Sequence, residues 1–131
     1  MDQAWTSKPE AERVLALATD SRPAWLWSGD GARLLWQNHA ATLFGAKIKN
    51  GALRRADSPT PVKGQISRIL RLGLLARPML SRMQFIAGRK PLSATCICTP
   101  LALGEDKPSL LVVGADAIDP EVLELAPYQP E

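Results

Sequence analysis

The sequence predicts an α+β domain: a five-stranded antiparallel sheet with helices on one face and a further helix at the N-terminus. Two short apolar runs flank a glycine-containing turn at residues 28–31, which is typical of a β-hairpin. Apolar residues at helical spacing over 62–70 predict a helix, and residues 79–114 alternate between apolar and polar positions around turn signals. A length of 131 residues favours one domain.

The N-terminal residues predict a helix from about Lys8 to Thr19. Ser7 and Glu10 have the spacing of a capping box, and the apolar residues that follow recur on one helix face. Pro23 disfavours helix in the residue before it, so the helix should end near this position. We therefore assign residues 1–22 to an N-terminal capping and dimerisation helix.

A β-hairpin and a short helix are predicted next. Strands over residues 24–27 and 33–37 would be joined by a turn whose two glycines are free to adopt positive φ. Asn38 can accept a hydrogen bond from a free N–H at the start of the following helix, over residues 39–44. Gly45 would end this helix in the left-handed conformation.

The middle of the chain predicts loops and then a second long helix. Residues 46–59 are less regular and predict loops with about one helical turn. Thr60 and Pro61 offer an N-cap and a first-turn proline for the helix that follows, and Gly73 offers a stop. One face of this helix would carry the apolar residues Val62, Ile66, Ile69 and Leu70.

Three further strands are predicted at residues 79–86, 92–103 and 110–114. They complete the sheet, and we assign residues 23–116 to the main domain. Residues 117–131 are acidic and contain several prolines. We interpret this last stretch as a linker toward an output domain outside this chain.

Charge is distributed unevenly along the sequence. The net charge is +3, but residues 47–90 carry a net +10 and residues 91–131 a net −6. Such asymmetry can indicate a nucleic-acid surface. Phe85 is the only aromatic residue in the basic stretch, so the platform on which single-stranded bases stack is missing. We therefore expect basic residues that face water rather than a nucleic-acid partner.

Neither a membrane segment nor a catalytic site is expected. The N-terminus has no signal-peptide pattern, and no apolar run approaches the ~20 residues that span a bilayer. We expect Cys96 and Cys98 to point to opposite faces of a strand, which suits neither a disulfide nor a shared metal and indicates a reduced, cytoplasmic setting. His39 is the only histidine, and no glycine-rich nucleophile turn accompanies it. We expect no catalytic and no metal-ligating residues.

The segment DGARLLWQNHAATLFGA, residues 30–46, resembles the hairpin-and-helix pattern of PAS domains. The matching positions are Asp30, Gly31, Asn38, Ala40, Ala41 and Gly45. The later order of one helix and three strands is also similar to that of PAS domains, so the resemblance covers about residues 12–116. The chain looks most like the N-terminal sensory PAS modules of bacterial sensor histidine kinases.

This resemblance implies a PAS-like sheet and a sensory or dimerising module of a signal-transduction protein. The expected partners are a second copy, an output domain on the same polypeptide and a small-molecule ligand. The cysteine-containing motif of flavin-binding light sensors is absent, and a haem ligand at His39 would need a large apolar cavity beside it. The cofactor is therefore left unknown, with neither flavin nor haem expected.

The register of the hairpin predicts which side chains face a cavity. With Trp25 opposite Leu35 and Trp27 opposite Arg33, one face would hold Trp25, Trp27, Leu35 and Gln37, and the resemblance places this face toward the cavity. The complete candidate pocket lining is Trp25, Trp27, Leu35, Gln37, Phe44, Ile66 and Leu70. The candidate dimer surface is Val14, Leu15 and Trp36.

Several functions stay open at this point. The leading interpretation is a sensory module that relays a ligand or partner signal through the acidic C-terminal segment. A structural PAS module without ligand is an alternative, in which Trp25 and Trp27 only fill the interior. A small α+β enzyme and a nucleic-acid-binding domain are the others.

Overall fold

The computed structural model describes residues 4–54, 60–61, 63–72, 77–87, 89–103 and 108–128. The strands within these ranges are β1 Ala24–Trp27, β2 Leu34–Gln37, β3 Lys47–Lys49, β4 Ala52–Arg54, β5 Thr60–Pro61, β6 Met79–Ala87, β7 Lys90–Leu101 and β8 Ser109–Gly114. The helices are α1 Ala11–Leu15, α2 His39–Thr42, α3 Lys63–Leu72 and α4 Pro120–Leu125.

The five predicted strands lie in one antiparallel sheet, which confirms the α+β class. The strand order is β2-β1-β8-β7-β6-β5. The last strand, β5, has two residues and pairs Thr60 with Ile86. Thr60 and Pro61 therefore extend the sheet instead of starting the helix as predicted, and α3 begins at Lys63. The predicted helix residues Val62 and Gly73 lie outside the described residues.

The N-terminal helix is much shorter than predicted. Residues Ala4–Ser7 form a 3₁₀ turn, α1 covers only Ala11–Leu15, and the side chain at its N-cap makes no capping hydrogen bond. Trp5 is 3% exposed and packs in one cluster with α1. Beyond α1, the Leu17 carbonyl accepts a hydrogen bond from the Asn38 side chain at 2.8 Å. The N–H groups of Leu17, Ala18 and Asp20 bond to carbonyls three residues earlier, so tight turns follow α1 where the regular helix was predicted.

Alternation along the strands divides the core side chains between two clusters. The cluster that we call the inner cluster contains Trp25, Trp27, Ala41, Ile66, Ile69, Met83, Phe85, Cys96, Cys98, Leu110 and Val112. The outer cluster contains Trp5, Ala11, Val14, Ala24, Leu26, Leu101, Leu103, Leu111 and Val113. Helix α3 thus contributes to the inner cluster, whereas α1 contributes to the outer cluster.

Both cysteines lie in the inner cluster, so the expectation that they point to opposite faces was wrong. Residues two positions apart in a strand share a face. Cys96 and Cys98 are free thiols and each is fully buried. Burial raises the pKa of Cys96 to about 12 and that of Cys98 to about 11. Thiols with such values carry little thiolate at neutral pH and are poor nucleophiles.

A β-bulge corrects the predicted register of the hairpin. Trp25 pairs with Gln37 and Leu26 with Trp36, but Trp27 pairs with Leu34, because the register shifts between Leu26 and Trp27. The extra residue is Leu35, which packs against the outer cluster, while Leu34 packs against the inner cluster. The bulge therefore exchanges the predicted faces of these two leucines.

A second hairpin, β3–β4, occupies residues that were predicted to be loops. Lys47 pairs with Arg54 and Lys49 with Ala52. The two residues between the strands, Asn50 and Gly51, have φ values of 53° and 76°. Positive φ at both positions is the geometry of a type I′ turn, for which Asn-Gly is a preferred pair.

The stretch predicted as a linker contains a packed helix, α4. Asp119 caps it by accepting a hydrogen bond from the Glu121 N–H at 2.9 Å. Val122 and Ala126 are buried together with Leu43, and Ile48 and Leu53 of β3–β4 pack against them. We call this group the C-terminal cluster. Residues 118–126 are therefore docked on the domain.

None of the described helices is long and apolar enough to span a bilayer.

Candidate functional site

The structure brings together five of the seven predicted pocket residues, with the aromatic rings at the centre. Trp25 is fully buried, and its ring contacts Phe44 at 5.6 Å and Phe85 at 4.8 Å between ring centroids. Phe44 and Phe85 also meet edge to face at 5.1 Å. The other members of this group are Trp27, Ile66 and Leu70, which all belong to the inner cluster or pack against it.

Leu35 and Gln37 lie elsewhere. The bulge turns Leu35 to the outer cluster. Gln37 ends β2 and lines a surface groove beside residues 125–128. Its Oε1 atom is buried and has no hydrogen-bond partner among the described residues. The predicted pocket lining is thus divided among the packed aromatic interior, the outer cluster and a surface groove.

Two indole N–H groups in the interior also have no acceptor. The Nε1 atoms of Trp25 and Trp27 are buried without a hydrogen-bond partner in the part of the chain that the structure describes. Burying an N–H without an acceptor is unfavourable. The ring packing of these tryptophans therefore has to outweigh the loss of their bonds to water.

Asn38 joins three parts of the chain. Its Oδ1 accepts hydrogen bonds from the backbone N–H groups of Ala24 and Ala41, both at 2.9 Å. Its Nδ2 donates to the carbonyls of Leu17 and Arg22, at 2.8 and 2.9 Å. Because the residue is 2% exposed, these four bonds satisfy an amide that has little access to water. The predicted N-cap of α2 is confirmed, and the bonds to the N-terminal segment go beyond it.

The last of these residues, Arg22, is itself held by a neighbour. Its guanidinium Nη2 lies 2.9 Å from Oδ2 of Asp20. The hydrogen bond from the Arg22 side chain holds the pKa of Asp20 below its ordinary value. This pair fixes the chain where it leaves the N-terminal segment for β1.

The turn of the first hairpin contacts α3 directly. Gly31 adopts φ of 73°, and a Cβ at this position would lie 2.8 Å from Ser67 Oγ and 3.1 Å from Ser67 N. The Ser28 hydroxyl donates to Asp30 at 2.5 Å and accepts from the Arg33 N–H at 3.1 Å. The Ser28 hydroxyl, and then the backbone N–H of Ala32, hold the pKa of Asp30 below its ordinary value.

Two neighbouring residues after α2 connect the interior with the C-terminal segment. Phe44 packs on Trp25 in the inner cluster. Leu43 is 1% exposed and packs with Val122 and Ala126 in the C-terminal cluster. The two clusters are thus joined by adjacent residues of the chain. Sequence reasoning missed this connection because residues 117–131 were treated as a linker.

His39 holds the end of the C-terminal segment. Its Nε2 lies 2.5 Å from the Ala126 carbonyl, a geometry in which Nε2–H donates. The imidazole ring also contacts the Tyr128 ring edge to face, with 5.7 Å between centroids. The histidine that was considered for haem is therefore engaged by protein groups on this side.

Two open clefts border these elements. The groove of about 490 Å³ runs between the β2–α2 junction and residues 125–128. A second cleft of about 370 Å³ lies between the hairpin turn and α3, and Leu70 lines it together with Asp30 and Arg71. Within the described ranges, no group of three or more His, Cys, Asp or Glu side chains could hold a metal ion.

The three residues of the predicted dimer surface have different environments. Val14 is fully buried in the outer cluster, so it offers no surface to a second copy. Trp36 is half-buried against the same cluster. Leu15 is 45% exposed and is accessible.

The fold and the site define an α+β protein whose antiparallel sheet and helices are compatible with a PAS-like arrangement. Searches of protein-family models, of curated proteins and of solved structures found no match for this chain.

Proposed function

We propose that the chain is a sensory and dimerising PAS-like module of a bacterial signal-transduction protein, of the sensor histidine kinase type. In this proposal a ligand or a partner changes the packing of the sheet and α2. The C-terminal segment then passes the change to an output domain. The parent protein would act in the cytoplasm, and this chain would have no enzymatic activity of its own.

The observation that carries this proposal is the contact of adjacent residues with two clusters. Phe44 belongs to the aromatic interior, and Leu43 belongs to the C-terminal cluster. In this proposal a change in the packing of the aromatic interior reaches α4 through the adjacent residues Phe44 and Leu43. The relay requires that the docked and released states of α4 bind the signal unequally.

The chemistry of α4 favours docking and release over a rigid relay. The helix ends at Leu125, and Pro127 and Pro130 follow it in the sequence. Proline removes a backbone donor and interrupts a continuous helix. A rotation therefore cannot pass along one unbroken helix from α4 across these residues. Only Val122 and Ala126 of the segment are well buried, so local opening should be easy compared with unfolding of the sheet.

Replacing Phe44 by leucine is expected to loosen α4. The smaller side chain removes the edge contacts with Trp25 and Phe85, and Leu43 should then pack less firmly on Val122. We expect amide hydrogen exchange at Leu123 and Ala126 to become about fivefold faster, which corresponds to about 1 kcal/mol.

Met83→Leu is the matched control for this experiment. Met83 is fully buried in the inner cluster, against which Phe44 packs. Unlike Phe44, it lies on β6 and is not adjacent in sequence to Leu43. After correction for global stability, Met83→Leu should leave exchange in α4 unchanged. Equal acceleration by both substitutions would contradict the relay.

We also propose that a homodimer forms through the accessible part of the N-terminal surface. Leu15 is the exposed residue of that surface, and Leu125 offers a control leucine at 51% exposure on α4. Leu15→Asp is expected to weaken the dimer, because it places a charge in an apolar contact. In sedimentation equilibrium the variant should dissociate to monomer at a concentration about tenfold higher than wild type does. Leu125→Asp should keep the wild-type equilibrium. A monomeric wild-type chain would remove the homodimer from the proposal.

A structural module without an internal ligand is the second candidate. The close contacts among Trp25, Phe44 and Phe85 favour it, since they fill the interior in which a ligand was expected. This candidate predicts the same dimer but no ligand-dependent change in α4.

A further inference from the structure

The groove between the β2–α2 junction and the C-terminal segment combines space, a polar group without a partner and aromatic walls. Its volume is about 490 Å³, within the range of small-molecule sites. Its polar and aromatic lining residues are Gln37, Asn38, His39, Thr42 and Tyr128. Sites for small molecules often lie where two structural units meet.

The side-chain oxygen of Gln37 is the polar atom to which a ligand could donate a hydrogen bond. Its Oε1 is buried without a hydrogen-bond partner among the described residues, which is unfavourable for an amide oxygen. The terminal torsion of glutamine is broad, so the amide can turn toward the groove at little cost. A ligand N–H or O–H would then give this oxygen the bond that it lacks.

The side chains of Asn38, Thr42 and His39 in the groove already have hydrogen-bond partners. The Thr42 hydroxyl donates to the His39 carbonyl at 2.6 Å, and His39 Nε2 lies 2.5 Å from the Ala126 carbonyl. Gln37 and Thr42 have no ionisable side-chain group, so they offer no formal charge to a ligand. The His39 and Tyr128 rings meet edge to face at an interplanar angle of 68°, so a ligand ring can stack on the face of one while its edge meets the other.

We propose that this groove binds a small neutral molecule that carries a hydrogen-bond donor beside a flat apolar ring. The donor bonds to Gln37, and the ring lies against His39 and Tyr128. One wall of the groove belongs to the domain and the other to residues 125–128, so the bound molecule stabilises the docked C-terminal segment. The expected effect of binding on α4 rests on the proposed relay, whereas the binding site is inferred from the groove alone.

Benzamide is the probe, because it joins a primary amide to one aromatic ring. In a nuclear magnetic resonance titration of the full chain, we expect saturable shifts at Gln37, His39 and Tyr128. Methyl benzoate keeps the ring but has no N–H donor, and it should bind about fivefold more weakly. Gln37→Leu should weaken benzamide by a similar factor and remove the difference between the two probes.

Gln84→Leu is the matched control, because Gln84 is an exposed glutamine on β6. It should bind benzamide as wild type does. Removing a buried amide oxygen that has no partner should leave the melting temperature of Gln37→Leu unchanged or higher, which separates lost binding from lost folding. Absent or non-saturable shifts, or equal binding by Gln37→Leu and wild type, would overturn the site.

Hydrogen exchange separates failure of the site from failure of the relay. Saturating benzamide should slow amide exchange at Leu123 and Ala126. If benzamide fails to bind while Phe44→Leu still loosens α4, the groove site is wrong and the relay remains. If benzamide binds but Phe44→Leu has no specific effect on α4, the relay is wrong and the site remains.

Discussion

Replacing Gly31 by alanine is expected to lower the free energy of unfolding by about 3 kcal/mol. Alanine at φ of 73° is strained, which contributes about 1 kcal/mol or more. The new Cβ would also lie 3.1 Å from the backbone N of Ser67 and 3.2 Å from its Cα. Because these atoms belong to the backbone of α3, they cannot move aside as a flexible side chain would. Urea unfolding monitored by tryptophan fluorescence measures the change.

Two other glycines separate strain from steric overlap. Gly51 has φ of 76° but no atom within 4 Å of an added Cβ, so Gly51→Ala should lose about 1 kcal/mol from strain alone. Gly64 lies in α3 with open space around the added Cβ, and Gly64→Ala should gain up to about 1 kcal/mol. If Gly31→Ala lost no more than Gly51→Ala, the close contact between turn and helix would be refuted.

Replacing Asn38 by alanine is expected to lower the free energy of unfolding by about 4 kcal/mol. The substitution removes four hydrogen bonds from a site that is 2% exposed. It leaves the N–H groups of Ala24 and Ala41 and the carbonyls of Leu17 and Arg22 without these partners. Such a loss is unusually large for one side chain, because the four bonds join backbone groups from three parts of the chain.

Asn38→Asp tests the donor and acceptor halves of this network separately. The carboxylate keeps the two bonds from N–H groups but faces two carbonyl oxygens that it cannot serve. Protonation restores one donor, so the loss relative to wild type should be smaller at pH 4 than at pH 7. A loss below about 1 kcal/mol for Asn38→Ala would show that the four bonds contribute little.

Local sequence determines much of the first hairpin. Paired apolar runs and the glycine-containing turn predict β1 and β2, and the structure places both strands there. Asn38 caps α2 as predicted, and Gly45 has the predicted left-handed conformation, with φ of 86°. These features succeed because turns and caps are satisfied by residues close in sequence. Helix α2 itself is shorter than predicted, because it ends at Thr42 rather than at residue 44.

The wrong predictions concern features that depend on contacts between residues distant in the sequence. Asn50-Gly51 is a strong hairpin signal in the sequence. The strands on either side have only three residues each, too few for a clear alternating pattern. Their apolar residues pack against the C-terminal cluster, which the sequence did not reveal. The bulge at Leu35 also escaped prediction. Neither leucine at 34 or 35 carries a polar group that would mark its face in advance.

The sequence by itself determined the α+β class, the five longer strands of the sheet and the cap of α2, because periodicity and turn chemistry act over a few residues. Only the tertiary structure decided the faces of Leu34 and Leu35, the shortness of α1 and the docking of α4. Each of these depends on packing between segments far apart in the chain, and Asn38 bonds residues up to 21 positions away. The candidate groove is likewise formed by residues 37–42 and 125–128, which no local pattern connects.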